Sequence, residues 1–454
     1  MPYNFHPMND KQAYLLPPDM RDWLPENHMA WFIKDAVAQF DLHPFYAGYR
    51  SDGVGNTAFH PQMMLTLLIF AYCNGVLSSR KIAILCIESV AYRVISCDMQ
   101  PEFNAVARFR KKHLAAFQSL FVSVLRLCAE AGLVKVGKVA VDGTKIRANA
   151  SLGANRTQDN IEKKIAELLE QAEKKDNEEE AIFGPDKRGD ELPEGLNHRD
   201  QNRLDRLKAC KQRLEEEAAQ TEVEEAKKVE ERAKKEADAQ AKGKKVRGRK
   251  PTKKKEDAET KAPQANPTDP ESRVMKEKQG FVQGYNAQAA VDDNQIILAA
   301  EITQECNDQA QLKPLLVAAA ANLKSAGVQE AIGLALADAG YCNEETLVQE
   351  LPVQDRLLAT KNRYRLRDAG ETAGDAPTGS TAREAMDHRL RTPEGHAEYK
   401  RRGALVENRF GVAKTQQNFR MVSGRGQAFA QGEWQLVCAA MNLKRAWRLL
   451  TARN

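Results

Sequence analysis

The chain is short of aromatics, which make up 6% of its 454 residues, and its cysteines form no recognisable framework. The eight cysteines, Cys73, Cys86, Cys97, Cys128, Cys210, Cys306, Cys342 and Cys438, are scattered singly. None forms a Cys-x-x-Cys pair, and no His/Cys spacing suits zinc, which argues against a metal-stapled or disulfide-stapled scaffold. They are expected to be small buried hydrophobes in a reducing compartment. Long hydrophobic runs are lacking too. The most apolar segment, residues 63 to 73, falls far short of the roughly 20 residues of a membrane span and is expected to be a core helix. Met1-Pro2-Tyr3-Asn4-Phe5 has neither a basic nor an apolar signal region, so a cytoplasmic, soluble protein with no membrane partner is expected. Net charge is only +5, so the chain as a whole is no polycation. Its positive charge is patchy, and patches are what bind a polyanion.

What is present is enough apolar residue, 42%, for globular cores. The length suggests roughly three domains of about 150 residues. Residues 1–133 read as a helical, helix-turn-helix-like DNA-binding domain. His60-Pro61 opens an apolar helix through Leu65, Leu68, Ile69 and Tyr72, closed by Asn74-Gly75. Ser78-Ser79 caps a second helix to Glu88, and a short one follows at Ala91 to Ile95. A polar, basic helix from Phe103 to Lys112 carries Arg108, Arg110 and Lys111 as candidate DNA contacts. An ordinary helical bundle with a solvated basic face explains the same pattern equally well.

A strand over residues 139 to 146 opens the next unit, assigned to 134–153 and 272–420. Between its parts, residues 154–271 form a charged insertion. Ile161, Ile165, Leu168 and Leu169 give one amphipathic helix, and Leu204, Leu207 and Leu214 another, a thin apolar stripe that suggests a coiled-coil hairpin. The run from Lys242 to Lys255 has almost nothing to bury and is expected to be disordered by itself. Strands are expected at Phe281 to Val291 and Gln295 to Ile302 around an Asp-Asp-Asn turn, then a helix near Leu315 to Leu323. A strand ending at Asp338, a helix from residue 343 or 344 and a strand at Leu357 to Ala359 follow. A polar loop spans about 366–395, the Glu407 helix comes next, and residues 421–454 form a helical C-terminal segment. The fold class expected is an α/β RNase H-like catalytic core with a helical N-terminal domain and a coiled-coil-like insertion after the first strand.

Three carboxylates stand out in this frame. Asp142 ends the apolar run of Val139-Ala140-Val141, Asp338 ends that of Leu334-Ala335-Leu336-Ala337, and Glu407 sits in a helix rich in Arg and Lys. A carboxylate ending a buried strand lies at the carboxyl edge of the sheet, where open α/β sheets place their sites. Hard oxygen ligands suit Mg²⁺ or Mn²⁺. Two such ions roughly 3.5–4 Å apart activate a nucleophile and stabilise a departing oxygen in phosphodiester chemistry. Asp142, Asp338 and Glu407 are therefore the catalytic and metal-ligating candidates. Each taken singly has an ordinary reading: a turn cap at Gly143, the start of the Ala339-Gly340-Tyr341 turn, or half of a surface ion pair. Tyr399, Arg402 and Lys414 around Glu407 are candidates to grip phosphates.

Together these stretches resemble a DDE transposase of a bacterial insertion sequence, in the broad IS-four-like superfamily. The resemblance is carried by Val141-Asp142-Gly143-Thr144-Lys145 with Ala148-Asn149-Ala150-Ser151, by Gly284-Tyr285-Asn286-Ala287-Gln288, and by Ala337-Asp338-Ala339-Gly340-Tyr341. It continues through Tyr399, Arg402, Glu407 and Lys414 to Asn442-Leu443-Lys444-Arg445. It implies Mg²⁺-dependent cleavage at the ends of the element, and joining of the freed 3′-hydroxyls to target DNA. It also implies double-stranded DNA partners (terminal inverted repeats and target), recognition of the repeats by the helical N-terminal part, and a homodimer or higher oligomer. One departure is visible. The superfamily places three residues between its Arg and Glu, whereas four lie between Arg402 and Glu407. In a regular helix the extra residue carries Arg402 off the shared face, and Lys400 or Arg401 would take its place. Arg247-Gly248-Arg249-Lys250-Pro251 resembles an AT-hook, so Arg247 and Arg249 are candidate minor-groove contacts, with a solubilising linker as the alternative. A non-catalytic DNA-binding regulator, an RNase H-like nuclease and a coiled-coil scaffold are the competing functional readings.

Overall fold

A computed structural model describes residues 19–49, 57–183, 197–241, 263–277, 280–361 and 370–452. The expected AT-hook residues Arg247 and Arg249, and the basic run around them, lie outside the described residues.

The N-terminal part is helical. Helix α1 spans Met29–Ala38, α2 Pro61–Cys73, α3 Ser79–Glu88, α4 Val90–Ile95, α5 Phe103–Lys112 and α6 Ala116–Glu130. Pro61 starts α2 at a position where no backbone N–H is needed, and the αL residue Gly75 (φ +72°) follows its end. Ser78 caps α3 by accepting from Lys81 N at 3.4 Å. Residues Met63 to Cys73 are buried on every side, as their unbroken apolar character requires.

The mixed α/β core begins at β1, Lys138–Arg147. Helices α7, Gln158–Phe183, and α8, Asn197–Ala241, follow. Strands β2, Arg273–Glu277, β3, Gly280–Asp292, and β4, Ile297–Thr303, come next. Helix α9 spans Leu312–Ser325, β5 Ile332–Ala337, α10 Glu344–Val348 and β6 Val353–Leu358. The sheet order is β2-β3-β1-β5-β6, with β4 also on β3. Strand β3 runs antiparallel to β1 along one edge, and its other edge takes β2 at Gly280 to Gly284 and β4 at Asn286 to Val291. Strands β5 and β6 add in parallel on the far side of β1. This arrangement is consistent with an RNase H-like domain.

Two elements depart from the sequence-based expectation. Strand β2 was not anticipated, because Arg273-Val274-Met275-Lys276-Glu277 is too polar to show a buried face. The stretch expected as loop up to 395 holds α11, Ala382–Arg391, whose N-terminus is a capping box between Thr381 and Glu384. In the insertion, Ile161, Leu207, Cys210 and Leu214 bury one another with Ala265. Val223 and Val229, further along α8, are exposed. Among the described side chains, this apolar contact joins residues 161–168 of α7 to residues 207–214 of α8. Among the described residues no helix is long and apolar enough to cross a membrane.

Helices α12, Pro393–Arg402, α13, Asn408–Thr415, and α14, Gln427–Thr451, complete the chain. Helix α14 packs on α2, α6 and β4, so the helical part and the sheet share one hydrophobic core. Glu433 of α14 is fully buried inside it. It accepts from Tyr72 Oη at 2.9 Å and from Ser423 N and Oγ at 2.7 and 2.6 Å. Arg110 lies 3.6 Å from this carboxylate and donates to Tyr72 Oη, Leu77 O and Ser79 Oγ. The assignment of Arg110 as a DNA contact is therefore corrected. Its guanidinium is inside the protein, and it is Arg108 and Lys111 that face solvent.

Removing Arg110 alone leaves the Glu433 charge buried without its counter-ion. Arg110→Met should cost about 3–5 kcal/mol of stability, and adding Glu433→Leu should recover part of that loss. An Arg110→Met protein with parental thermal stability would contradict this account.

Candidate active site

The parallel ladder between β1 and β5 pairs Lys138 with Leu334 and ends at Val141 with Ala337. The next residue on each strand is an aspartate, so Asp142 and Asp338 emerge side by side where the two strands separate. Asp142 ends its apolar run but lies inside its strand, which was expected over residues 139 to 146 and continues to Arg147 against β3. It marks the point where β1 loses its parallel neighbour. Asp142 Oδ1 accepts from Gly143 N at 2.8 Å, and Asp338 Oδ1 from Gly340 N at 2.9 Å. Burial pushes both carboxyls above their ordinary range, Asp142 to about 6, despite the opposing pull of the Arg402 charge.

Helix α12 delivers the third carboxylate. Thr392 caps it by accepting from Gly395 N at 3.1 Å, and Pro393 occupies its first turn. Lys138 of β1 holds it through Glu398 at 2.6 Å. The helix does not end at Arg402. It continues through a π-helical turn, Gly403–Glu407, into α13. A π-turn closes over five residues instead of four, so it absorbs the extra residue and returns Arg402 and Glu407 to one face. Arg402 Nη2 meets Glu407 Oε1 at 2.9 Å, and Nη1 meets Asp142 Oδ2 at 3.0 Å. The expectation that Arg402 falls off the shared face is thus corrected. Arg401, its suggested substitute, pairs instead with Asp293 at 3.0 Å.

Tyr399 is half-buried beside Arg402 and the two aspartates, and its hydroxyl pKa is raised by burial. Lys414 is half-buried further along the helix, near Glu277, Arg420 and Arg147, with its ammonium pKa lowered by burial. Arg108 and Lys111 line a separate cleft of about 750 Å³ on the helical part, with Tyr49 and Phe59.

Sequence reasoning missed Asp308. Its Oδ1 accepts from Asn286 Nδ2 and Gln288 Nε2, both at 2.7 Å, and lies 3.9 Å from Lys145 Nζ. Tyr341 Oη donates in turn to Gln288 Oε1. Two glycines make room for this network. A Cβ at Gly143 would come 2.8 Å from Asp308 Oδ1, and one at Gly340 would come 3.6 Å from Asp308 Oδ2. The legible signal was Asn286-Ala287-Gln288, whose spacing of two puts both amides on one strand face. Asp308 itself sits in a loop with no periodicity to mark it.

As donors, the buried oxygens of Asp142 and Asp338 with Glu407 nearby fit a hard divalent cation. Burial disfavours their charged forms, and a cation bound between them would favour those forms. In this arrangement the Arg402 guanidinium supplies that positive charge between Asp142 and Glu407. Among the described residues no three His, Cys, Asp or Glu side chains are gathered closely enough to hold an ion together.

Comparison with known families gives two matches. The Transposase DDE domain matches residues 241–443, a span that includes Asp338 and Glu407 and begins after Asp142. The Transposase domain DUF772 matches residues 18–112, which include the α5 cations. No curated protein and no solved structure matches the chain.

The Asp142 carboxyl holds its proton more tightly in the folded chain, at about 6, than at its ordinary 3.8. Its contribution to stability therefore falls as pH rises through that window and is unfavourable above it. Asp142→Asn should raise stability at pH 8 by on the order of 1–3 kcal/mol, with the gain vanishing near pH 4. Thermal unfolding at both pH values checks this, and an equal effect at the two would contradict it.

Proposed function

Because the chain belongs to the DDE-type insertion-sequence transposases, we propose that Asp142, Asp338 and Glu407 form the centre that cuts the ends of its element and joins them to target DNA. The observation that carries this reading is that one guanidinium, Arg402, joins the strand aspartate Asp142 to the helical Glu407, with Asp338 following the neighbouring parallel strand beside Asp142. Divalent ions, Mg²⁺ or Mn²⁺, held by these carboxylates would supply an activated nucleophile and charge for the leaving oxygen.

The chain's own side chains orient the substrate. Arg402 presents a planar fork that matches a phosphate as well as a carboxylate, so DNA competes for it with Asp142 and Glu407. Its transfer to a phosphate frees both carboxylates. Tyr399 packs beside it and fixes the approach. Lys414, two helical turns beyond Glu407, grips a neighbouring phosphate, and burial of its stem limits its freedom. Asp308 ties Asn286 and Gln288 of β3 to Lys145 of β1 and keeps the aspartates in register. The exposed Arg108 and Lys111, with the helices that carry them, contact the terminal inverted repeats, and Arg247 and Arg249 add minor-groove affinity. Two ends must be held together, so the working form is a homodimer or larger assembly.

Excision and reinsertion of a marker between the native flanking sequences tests the reading. Asp142→Ala, Asp338→Ala and Glu407→Ala should each lower end cleavage by on the order of 10²–10³-fold or more, with folding intact. Parental cleavage by any one variant would remove that residue from the centre. Cleavage without joining by the intact protein would favour the nuclease reading.

A further inference from the structure

A second polar cleft lies behind the carboxylates, between α13 and α14. Its cavity is about 140 Å³, and its lining includes Gln295, Arg409, Gln417, Lys444, Arg445 and Arg448. Arg409 follows Glu407 by two residues, which turns it roughly 200° around the helix, away from the carboxylate face. Lys444, Arg445 and Arg448 share one face of α14 by their spacing of three and four.

Four cations thus converge on one small space. Among the described residues none of them forms an ion pair with a carboxylate. Their hydrogen bonds go to neutral carbonyls: Arg409 to Met441 O at 3.4 Å, Lys444 to Cys73 O at 2.7 Å and Arg445 to Asn294 O at 3.1 Å. Gln417 is 1% exposed and Arg409 6%. Among the described residues, neither amide atom of Gln417 and not the Nε of Arg409 has a partner. Buried polar groups without partners, and like charges at adjacent helical positions, are each unfavourable in an empty cleft. One occupant relieves the crowded cations and the unpartnered donors, Arg409 Nε and Gln417 Nε2: an oxyanion that accepts from them.

We propose that this cleft is a binding site for a phosphate group, distinct from the carboxylate centre. The preferred source is a backbone phosphate of DNA passing behind the catalytic helix, and a free phosphate has the same recognition chemistry. The site would account for Lys444 and Arg445 of Asn442-Leu443-Lys444-Arg445, which the carboxylate centre does not use, whereas Asn442 brackets the Ile297 backbone and Leu443 lies in the core. It does not depend on the roles given to Asp142, Asp338 and Glu407.

The test uses the full chain and three variants, Arg445→Gln, Arg448→Gln and Gln417→Leu. Thermal unfolding is followed against inorganic phosphate at constant ionic strength, with chloride as control. Binding of a short DNA duplex is followed against salt. Phosphate should raise the parent's Tm, and each variant should need about tenfold more phosphate or lose the response, as expected for one charge-assisted contact. Gln417→Leu should be more stable than the parent without phosphate, which separates lost binding from lost folding. If the source is DNA, the two arginine variants should also reduce the slope of log K against log salt by about one each. If it is a free phosphate, the Tm response is lost while duplex binding is unchanged. Variants that match the parent in both measurements overturn the proposal.

Discussion

The guanidinium of Arg402 is the group on which the geometry of the carboxylate centre depends. Asp142 and Glu407 come from a strand and a helix that are far apart in sequence, and both are acceptors. Without a cation between them they would repel, the more so because burial already disfavours the charged form of Asp142. Arg402 satisfies one oxygen of each with separate nitrogens of the same plane. Lysine, a point charge without the fork, could not reproduce this geometry. The same property makes the guanidinium exchangeable, since a phosphate offers it equivalent acceptors.

The backbone brings Arg402 to that place by two local devices. The parallel register of β1 and β5 sets Asp142 beside Asp338. The π-helical turn at Gly403–Glu407 compensates for one extra residue and keeps Arg402 over Glu407. Such turns are rare and cluster at functional sites, because only a local benefit offsets their weaker geometry. Behind this frame, the Tyr72, Arg110 and Glu433 network ties the helical part to α14, which in turn packs against the sheet.

Much of this was legible in the sequence. Apolar runs at Val139 to Val141 and Leu334 to Ala337 identify buried strands, and the aspartates after them follow from that alone. The insertion's helices and the hairpin around Asp292 also carry clear periodicity. Other features were not legible, for physical reasons. Asp308 reaches the site from an irregular loop. Arg110 sits in a basic helix whose exposed face hides the one buried member, and only the distant Glu433 explains it. Strand β2 is an edge strand whose alternation is masked by charged residues. The π-turn could not be deduced because residue spacing assumes a regular helix. On that assumption an insertion rotates the face, whereas the backbone absorbs it locally.

Deleting Ala404 tests this account most directly. The deletion gives Arg402 and Glu407 the usual spacing of an α-helix, so the turn can become regular without rotating α13. The account predicts that the shortened chain keeps a Tm within a few degrees of the parent and retains DNA end cleavage. A large loss of stability, or loss of cleavage by a chain that still folds, would contradict the claim that the π-turn only restores the alignment of Arg402 with Glu407.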